Sequence, residues 1–237
     1  MNAESTVVTI VLVGNFDPNL FRLEKLVESE ALSEADSQAS SYVALLPDQV
    51  VEIAMPWGKL IALSERVSIE VAQVPFIRGA DLALKCMREI APSSLVRMFG
   101  INVTVIYQFA SIDERDALGT RLVPPKSWGS WGAQVQDSLK LSGAKHGGMA
   151  LAVLRQGVPD DREGGWLDAR VEPSRLFQNT AVQVGMNDHY EVPSVSEGGH
   201  TVSDKAVSKK LLDRLESAFD LSVERSTRVA SEIVLGV

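Results

Sequence analysis

The sequence has few of the residues from which recognisable sites are built. It contains one cysteine, Cys86, and three histidines, His146, His189 and His200. No histidine has a second histidine or a cysteine at metal-ligand spacing, so we predict no metal site and no cofactor. A chain with one cysteine can form no internal disulfide, which favours a reducing, cytoplasmic location.

Long apolar runs are absent as well. The run VVTIVLVG is far shorter than the ~18 apolar residues that a membrane span requires. No basic region precedes it in the N-terminal MNAEST. We therefore predict a strand and a turn at this end of the chain, rather than a signal peptide or a membrane anchor.

Basic charge and catalytic motifs are the remaining absences. The formal net charge is −8, so the chain lacks the overall attraction on which non-specific nucleic-acid binding depends. The sequence contains no Gly-x-Ser-x-Gly, no Walker loop and no paired-glycine dinucleotide fingerprint. These absences disfavour nucleic acid as a partner, and they make an enzyme the less favoured class.

Hydrophobic periodicity indicates many strands and a few amphipathic helices. In the first half we predict a strand over Val7–Val13 and a helix opening at Asp17 and Pro18. Four strands and a helix follow, over Ser41–Leu46, Val50–Met55, Lys59–Ser64, Arg66–Val74 and Arg78–Ile90.

The second half starts again with a strand over Val103–Phe109 and a helix that Ser111 caps. A short helical turn is predicted before it, over Ser93–Phe99. Four strands are predicted after it, over Val135–Ser142, Met149–Gln156, Trp166–Glu172 and Thr180–Val192. The last helix begins at Ser203 and extends towards Val234. It is long enough to reach another subunit, unless it breaks near Asp220.

Each half therefore reads as one strand, one helix, four strands and one helix. We predict an α+β fold of two tandem β-α-β4-α repeats, which form a curved antiparallel sheet with helices packed on one face. The repeats would span 1–98 and 99–237 and form one structural unit, with an extended C-terminal helix in the second.

This element order resembles the TATA-binding-protein-like fold, in which two such units form one continuous curved sheet. The resemblance covers most of the chain and consists of element order alone. It implies a saddle with an open sheet face, and it implies no function, because one fold serves many functions. The strings FGIN (99–102) and NDHY (187–190) are also similar to an uncharacterised bacterial protein family, for which no activity is implied.

If helices cover one face, alternate strand residues form the other. That open face is predicted to be polar and acidic on balance, with the first strand, apolar on both sides, covered on both faces. Its predicted members are Glu52, Ser68, Glu70, Thr104, Gln108, Ser138, Lys140, Asp168, Arg170, Glu172, Gln183, Asn187, His189 and Glu191.

Candidate catalytic residues are few. His189 and Glu191 stand two apart on one strand, where they can act as base and acid. Asp168 and Arg170 are predicted on the same face. A surface histidine with hydrogen-bonding neighbours explains this group better, so we favour no catalytic role.

Other candidates have structural explanations. Trp128 and Trp131 either anchor an interface or, as we favour, seal a linker over the core. The loop with Asp160, Asp161 and Arg162 is predicted to be a solvated turn, and Cys86 a buried thiol.

We therefore predict a non-catalytic protein-interaction or assembly protein, homodimeric or bound to another protein. It would use the sheet edges, the last helix and the partner-binding residues Trp128, Trp131, Asn187 and His189. Two alternatives stay open. One is a nucleic-acid or nucleotide binder that uses the open face, and the other is an enzyme with its site around His189 and Glu191.

Overall fold

The computed structural model describes residues 3–139, 148–192 and 203–236. Its strands are β1 (Ala3–Asn15), β2 (Ser41–Leu46), β3 (Val50–Met55), β4 (Gly58–Leu63), β5 (Arg66–Val71), β6 (Leu95–Gln108), β7 (Ala152–Gln156), β8 (Gly165–Ser174) and β9 (Ala181–Glu191). Its helices are α1 (Leu23–Glu28), α2 (Glu34–Gln38), α3 (Ile77–Lys85), α4 (Ile112–Leu122), α5 (Gly129–Leu139), the single turn α6 (Leu176–Asn179) and α7 (Asp204–Leu235). Short 3₁₀ turns span Pro18–Phe21 and Pro125–Trp128, and a π turn, Cys86–Ile90, continues α3.

The strands form one antiparallel open sheet of nine strands in the order β2-β3-β4-β5-β1-β6-β9-β8-β7. Strands β1 and β6 are the longest, and they pair along almost their whole length in the middle of the sheet. The predicted α+β class with an antiparallel sheet is confirmed.

The core lies between this sheet and the helices. Buried residues alternate along β1, where Val8, Ile10 and Leu12 are fully covered. Helix α3 packs on β5 and β1, while α7 packs on β6 and β9 and also contacts α3. The approach of α3 is close, because a Cβ added to Gly79 would lie 2.6 Å from a methyl group of Val71. The predicted burial of Cys86 in this core is confirmed.

Helix α7 runs unbroken for 32 residues, so the alternative of a break near Asp220 is wrong. A buried stripe continues to its end, and Val234 is packed into the core. Arg121 donates hydrogen bonds to the carbonyls of Ile233 and Val234. The far end of α7 therefore lies against its own chain. Among the described residues no helix is both long and apolar enough to cross a membrane.

Two local predictions are wrong. Residues 135–139 belong to α5, so the strand predicted over Val135–Ser142 is helical wherever the structure describes it. In the described residues, three strands instead of four then follow α4. The helical turn predicted over Ser93–Phe99 is absent, because β6 already begins at Leu95. The boundary at 98/99 thus falls inside that strand.

Candidate interaction edge and the polar open face

The open face is the side of the sheet opposite α3 and α7. Residues directly opposite each other in an antiparallel sheet share a face, so the register identifies its members. One polar row crosses seven neighbouring strands: Lys59, Glu70, Thr9, Asn102, Asn187, Asp168 and Arg155. The predicted residues of this face lie on it except for two. Ser138 lies in α5, and Lys140 lies outside the described residues.

The open-face side of β1 differs from its prediction. Val7, Val11 and Val13 are half-buried, not fully covered. In the sheet, Val7 lies beside Thr104 of β6, Val11 beside Ser68 of β5, and Val13 between Arg66 of β5 and Met98 of β6. Because β1 lies in the middle of the sheet, the flanking strands cover part of each valine side chain, and the rest stays accessible.

Charged side chains on the open face form local pairs. Arg155 binds Asp168 through two hydrogen bonds of 2.7 and 2.8 Å, and Lys59 Nζ lies 3.7 Å from a Glu52 carboxylate oxygen. The hydrogen bond from Arg155 is the main cause that lowers the pKa of Asp168. The sequence did not predict the basic residues Lys59 and Arg155 on this face. Their positive charges offset the net negative charge predicted for it.

His189 is the most buried of the candidate side chains on this face, at 8% exposed. Its ring stacks on Trp166, with centroids 3.8 Å apart and planes 17° apart. Its Nε2 atom has no hydrogen-bond partner and lies 3.9 Å from a Glu191 carboxylate oxygen. Burial lowers the pKa of His189, and it outweighs the opposing attraction of Glu191. The imidazole is therefore mostly neutral at pH 7.

The structure brings only part of the candidate catalytic group together. His189 and Glu191 are neighbours, and the carboxylate of Asp168 acts electrostatically on His189. Arg170 instead pairs with Glu172 at 2.7 Å. It lies opposite Gly185, which is four residues along β9 from His189, or about 13 Å at the rise of a strand. Among the described residues no three His, Cys, Asp or Glu side chains gather to hold a metal.

A buried ion cluster on the helix side of β9 was not predicted. Asp188 is fully buried and accepts hydrogen bonds from Arg162 at 2.5 Å, Ser222 at 2.6 Å and Tyr190 at 3.1 Å. Arg225 makes a fourth contact to the same carboxylate. The predicted solvated turn is wrong for Arg162, whose side chain is 4% exposed.

This cluster attaches the loop before β8 to α7. Asp161 pairs with Arg162 at 3.0 Å and with Arg214 of α7 at 3.1 Å. Burial alone would raise the pKa of Asp161, but the surrounding arginines lower it overall. Asp188 continues the series of core-facing positions with Met186 and Tyr190. An acidic residue at a core-facing position needs buried basic partners, so this position in the sequence could have predicted the cluster.

The outer edge of the sheet at β7 is apolar and exposed. Within the described residues β7 pairs only with β8, and no described strand satisfies the backbone hydrogen-bonding groups on its other side. Leu154 is 77% exposed and Val153 is also exposed. Such an edge is a template for pairing with another strand.

An apolar groove adjoins this edge. Trp128 and Trp131 pack edge to face, with ring centroids 5.7 Å apart, and are 55% and 60% exposed. The predicted sealing of the core by these two residues is therefore wrong. They line a groove of about 290 Å³ together with Val135 and with residues 148–151, which lead directly into β7.

Comparison with protein-family models and with curated proteins finds no match.

Proposed function

We propose that this chain is a non-catalytic protein-interaction protein that joins polypeptides at the β7 edge. The observation that carries the proposal is the continuity of two features. The exposed strand edge and the tryptophan groove follow one another along residues 148–156. Isolated exposed apolar residues are common on surfaces, whereas a contiguous set marks an interaction site. Tryptophans are also enriched among the residues that dominate binding energy.

The chemistry of the edge indicates how a partner binds. An added strand would satisfy the outer backbone groups of β7, with which no described strand pairs, and its apolar side chains would occupy the groove. Backbone hydrogen bonds supply affinity in this mode, and the groove supplies selectivity. The proposal includes a cytoplasmic location, which the single buried cysteine supports.

We also propose that the sheet arose by duplication of one unit, as in the TATA-binding-protein-like fold. The strand order supports this, because β1 and β6 pair at the centre and β5-β4-β3 on one side corresponds to β9-β8-β7 on the other. In this correspondence β2 has no counterpart among the described residues of the second half.

The two alternative functions have less support. Nucleic-acid binding on the open face would require unpaired basic residues, but Arg155 and Arg170 are engaged by Asp168 and Glu172. An enzyme would use His189 and Glu191, without the contribution expected from Arg170.

Site-specific photocrosslinking tests the proposal. A benzoylphenylalanine placed at Leu154 of the full chain, in the cells that produce it, should crosslink to a polypeptide under ultraviolet light. The matched control is Leu221, an exposed leucine on α7, which should give no such product. Replacing both Trp128 and Trp131 by alanine should weaken the product at 154. If position 154 yields no crosslinked polypeptide, the proposal is wrong.

A further inference from the structure

We infer that the opposite edge of the sheet, at β2, binds a basic extended segment of another polypeptide as an added strand. The inference is independent of the β7 edge and assigns a second docking surface to the chain. It rests on three features of β2, which are an outer side without a described partner strand, exposed apolar side chains, and a concentration of unpaired acidic residues around it.

The outer side of β2 is not covered by the described part of the chain. Among the described residues β2 pairs only with β3. The chain is described without a gap from residue 3 to residue 139, so the segments on both sides of β2 are all placed. Val43, Leu45 and Leu46 are exposed. Unpaired backbone groups beside apolar side chains form a template for strand addition.

The two internal stretches outside the described residues are too short to cover this edge. Strands lie about 4.8 Å apart, so β2 is about 29 Å from β9, where residues 193–202 begin, and about 38 Å from β7, near residues 140–147. Residues 193–202 rejoin the chain at α7, whose Ser208 accepts a hydrogen bond from Val96 of β6. At about 3.5 Å per residue, a path from β9 to β2 and back to α7 exceeds the length of this stretch.

Acidic residues surround β2. From Asp17 to Glu52 the chain has eight acidic and two basic residues, a net charge of −6 out of a total of −8. Glu28 pairs with Lys25, and Glu52 lies near Lys59. The other six have no ion-pair partner among the described residues: Asp17, Glu24, Glu30, Glu34, Asp36 and Asp48. A partner with positive charge is therefore complementary to this edge.

The two faces of β2 indicate the pattern of the bound segment. Tyr42 and Leu45 lie opposite buried residues of β3 and so face the helix side, where the hydroxyl of Tyr42 lies 2.9 Å from the Glu24 carboxylate of α1. Leu46 faces the open side. Basic side chains of an added strand would meet the acidic residues on the helix side, and apolar ones would contact Leu46. Because neighbouring residues of a strand face opposite sides, basic and apolar residues would alternate.

A second copy of the chain fits this edge poorly. The pairing of β2 with β3 shifts between Tyr42 and Ala44, and Pro47 follows the strand directly. Irregularities of this kind hinder the pairing of two identical edges. Two copies would also bring together two regions of charge −6. A short basic segment is attracted instead, and it can pair with the regular stretch 44–46 alone.

Fluorescence anisotropy with a labelled eight-residue peptide of alternating lysine and valine tests the inference on the full chain. At low salt we expect a dissociation constant below about 100 μM, and the affinity should fall as salt is added. The peptide with glutamate in place of lysine should not bind. A peptide of alternating lysine and glycine keeps the charge without the apolar side, and it should bind at least ~10-fold more weakly.

A pair of leucine variants locates the binding. Leu46→Arg introduces a positive charge and removes an apolar contact at the edge, so it should weaken binding of the lysine–valine peptide at least ~10-fold. Leu221→Arg is the matched control, because the two leucines are 53% and 55% exposed. It should change the dissociation constant by less than about 3-fold.

A pair of charge-reversal variants tests the acidic residues. Glu30→Lys combined with Glu34→Lys should weaken binding at least ~10-fold, because two attractions become repulsions. Asp220→Lys combined with Glu224→Lys changes the net charge equally, but on exposed positions of α7. That control should change the dissociation constant by less than about 3-fold, since screening limits the effect of distant charges.

Alternate N-methylation of the peptide tests strand pairing itself. An added strand directs the backbone groups of every second residue towards its neighbour. Methylation of one alternate set of amides should therefore abolish binding, and methylation of the other set should not. Attraction between charges without strand pairing would tolerate both.

The outcomes separate this inference from the function proposed for the β7 edge. Absence of binding at about 100 μM chain, equal losses in the matched variants, or equal binding of the two methylated peptides overturns the inference. A dimer that Leu46→Arg dissociates would place a second copy at this edge and would also overturn it. Leu154→Arg should leave peptide binding unchanged, and loss of binding in that variant would contradict the assignment to β2.

Discussion

Replacing Asp188 by asparagine tests whether the buried ion cluster holds the second half of the sheet to α7. The substitution keeps the shape of the side chain and removes its charge. Arg162 and Arg225, whose side chains are 4% and 18% exposed, would lose the carboxylate between them. The new amide group would also direct N–H donors towards atoms that are themselves donors.

The expected cost follows from the burial of the arginines. Removing one partner of a buried ion pair typically costs 3–5 kcal/mol, because the other charge stays buried without compensation. Here Asp161 still lies 3.0 Å from Arg162 and 3.5 Å from Arg225. The hydroxyl groups of Ser222 and Tyr190 can also rotate to accept hydrogen bonds. We therefore expect a loss of about 3 kcal/mol in the free energy of unfolding.

Urea unfolding and calorimetry measure this loss. For a chain of this size, about 3 kcal/mol corresponds to a fall in Tm of roughly 6–12 °C, and the urea slope should stay unchanged. The matched control is Asp168→Asn, because the Arg155 that it pairs with is largely exposed. That variant should lose less than about 1 kcal/mol. Equal losses in the two variants would refute the reasoning.

Three further outcomes are expected. Burial lowers the pKa of His189. The fold is therefore most stable above the unfolded pKa near 6.5, and it loses stability as the pH falls below that value towards the lowered pKa of the folded state. The urea midpoint should fall less between about pH 7.5 and 5.5 in His189→Phe than in the unsubstituted protein. Burial raises the pKa of Cys86 to about 12, so its thiol should react with a chromogenic disulfide only on unfolding, and rapid native reaction would contradict this. Gly79→Ala should destabilise the protein by about 1–2 kcal/mol in urea, because its Cβ would lie 2.6 Å from Val71, whereas Gly185→Ala has open space and should be neutral.

Alternation along the strands was sufficient to predict the two faces of the sheet. In β5, Val67, Ile69 and Val71 are fully buried, and Ser68 and Glu70 lie on the open face. A one-residue shift would exchange these faces, so the pattern determines the register strongly.

The strand predicted over Val135–Ser142 shows where a pattern becomes ambiguous. Apolar residues at 135 and 139 satisfy a period of two and also a spacing of four. The second spacing prevails, since Trp131 and Val135 of α5 line the same groove. The exposure of both tryptophans could not be read from the sequence, because it depends on which elements pack above them.

The ion cluster was missed for a different reason. Arg162 lies in GVPDDREGG, whose composition is that of a solvated turn. Its burial depends on Asp188 and Arg225, which lie 26 and 63 positions further along the chain. Only tertiary packing brings such groups together, and composition within a local window carries no information on it.

The halves of the sheet differ at the edge where we propose that binding occurs. If the halves are equivalent, as we propose, β7 corresponds to β3, and the position occupied by β2 in the first half has no described strand in the second. Strand β3 has its outer backbone groups satisfied by β2, whereas no described strand pairs with the outer side of β7. Leu154 is 77% exposed, whereas Ile53 within β3 is fully buried, and the 3₁₀ turn Pro18–Phe21 packs against β3.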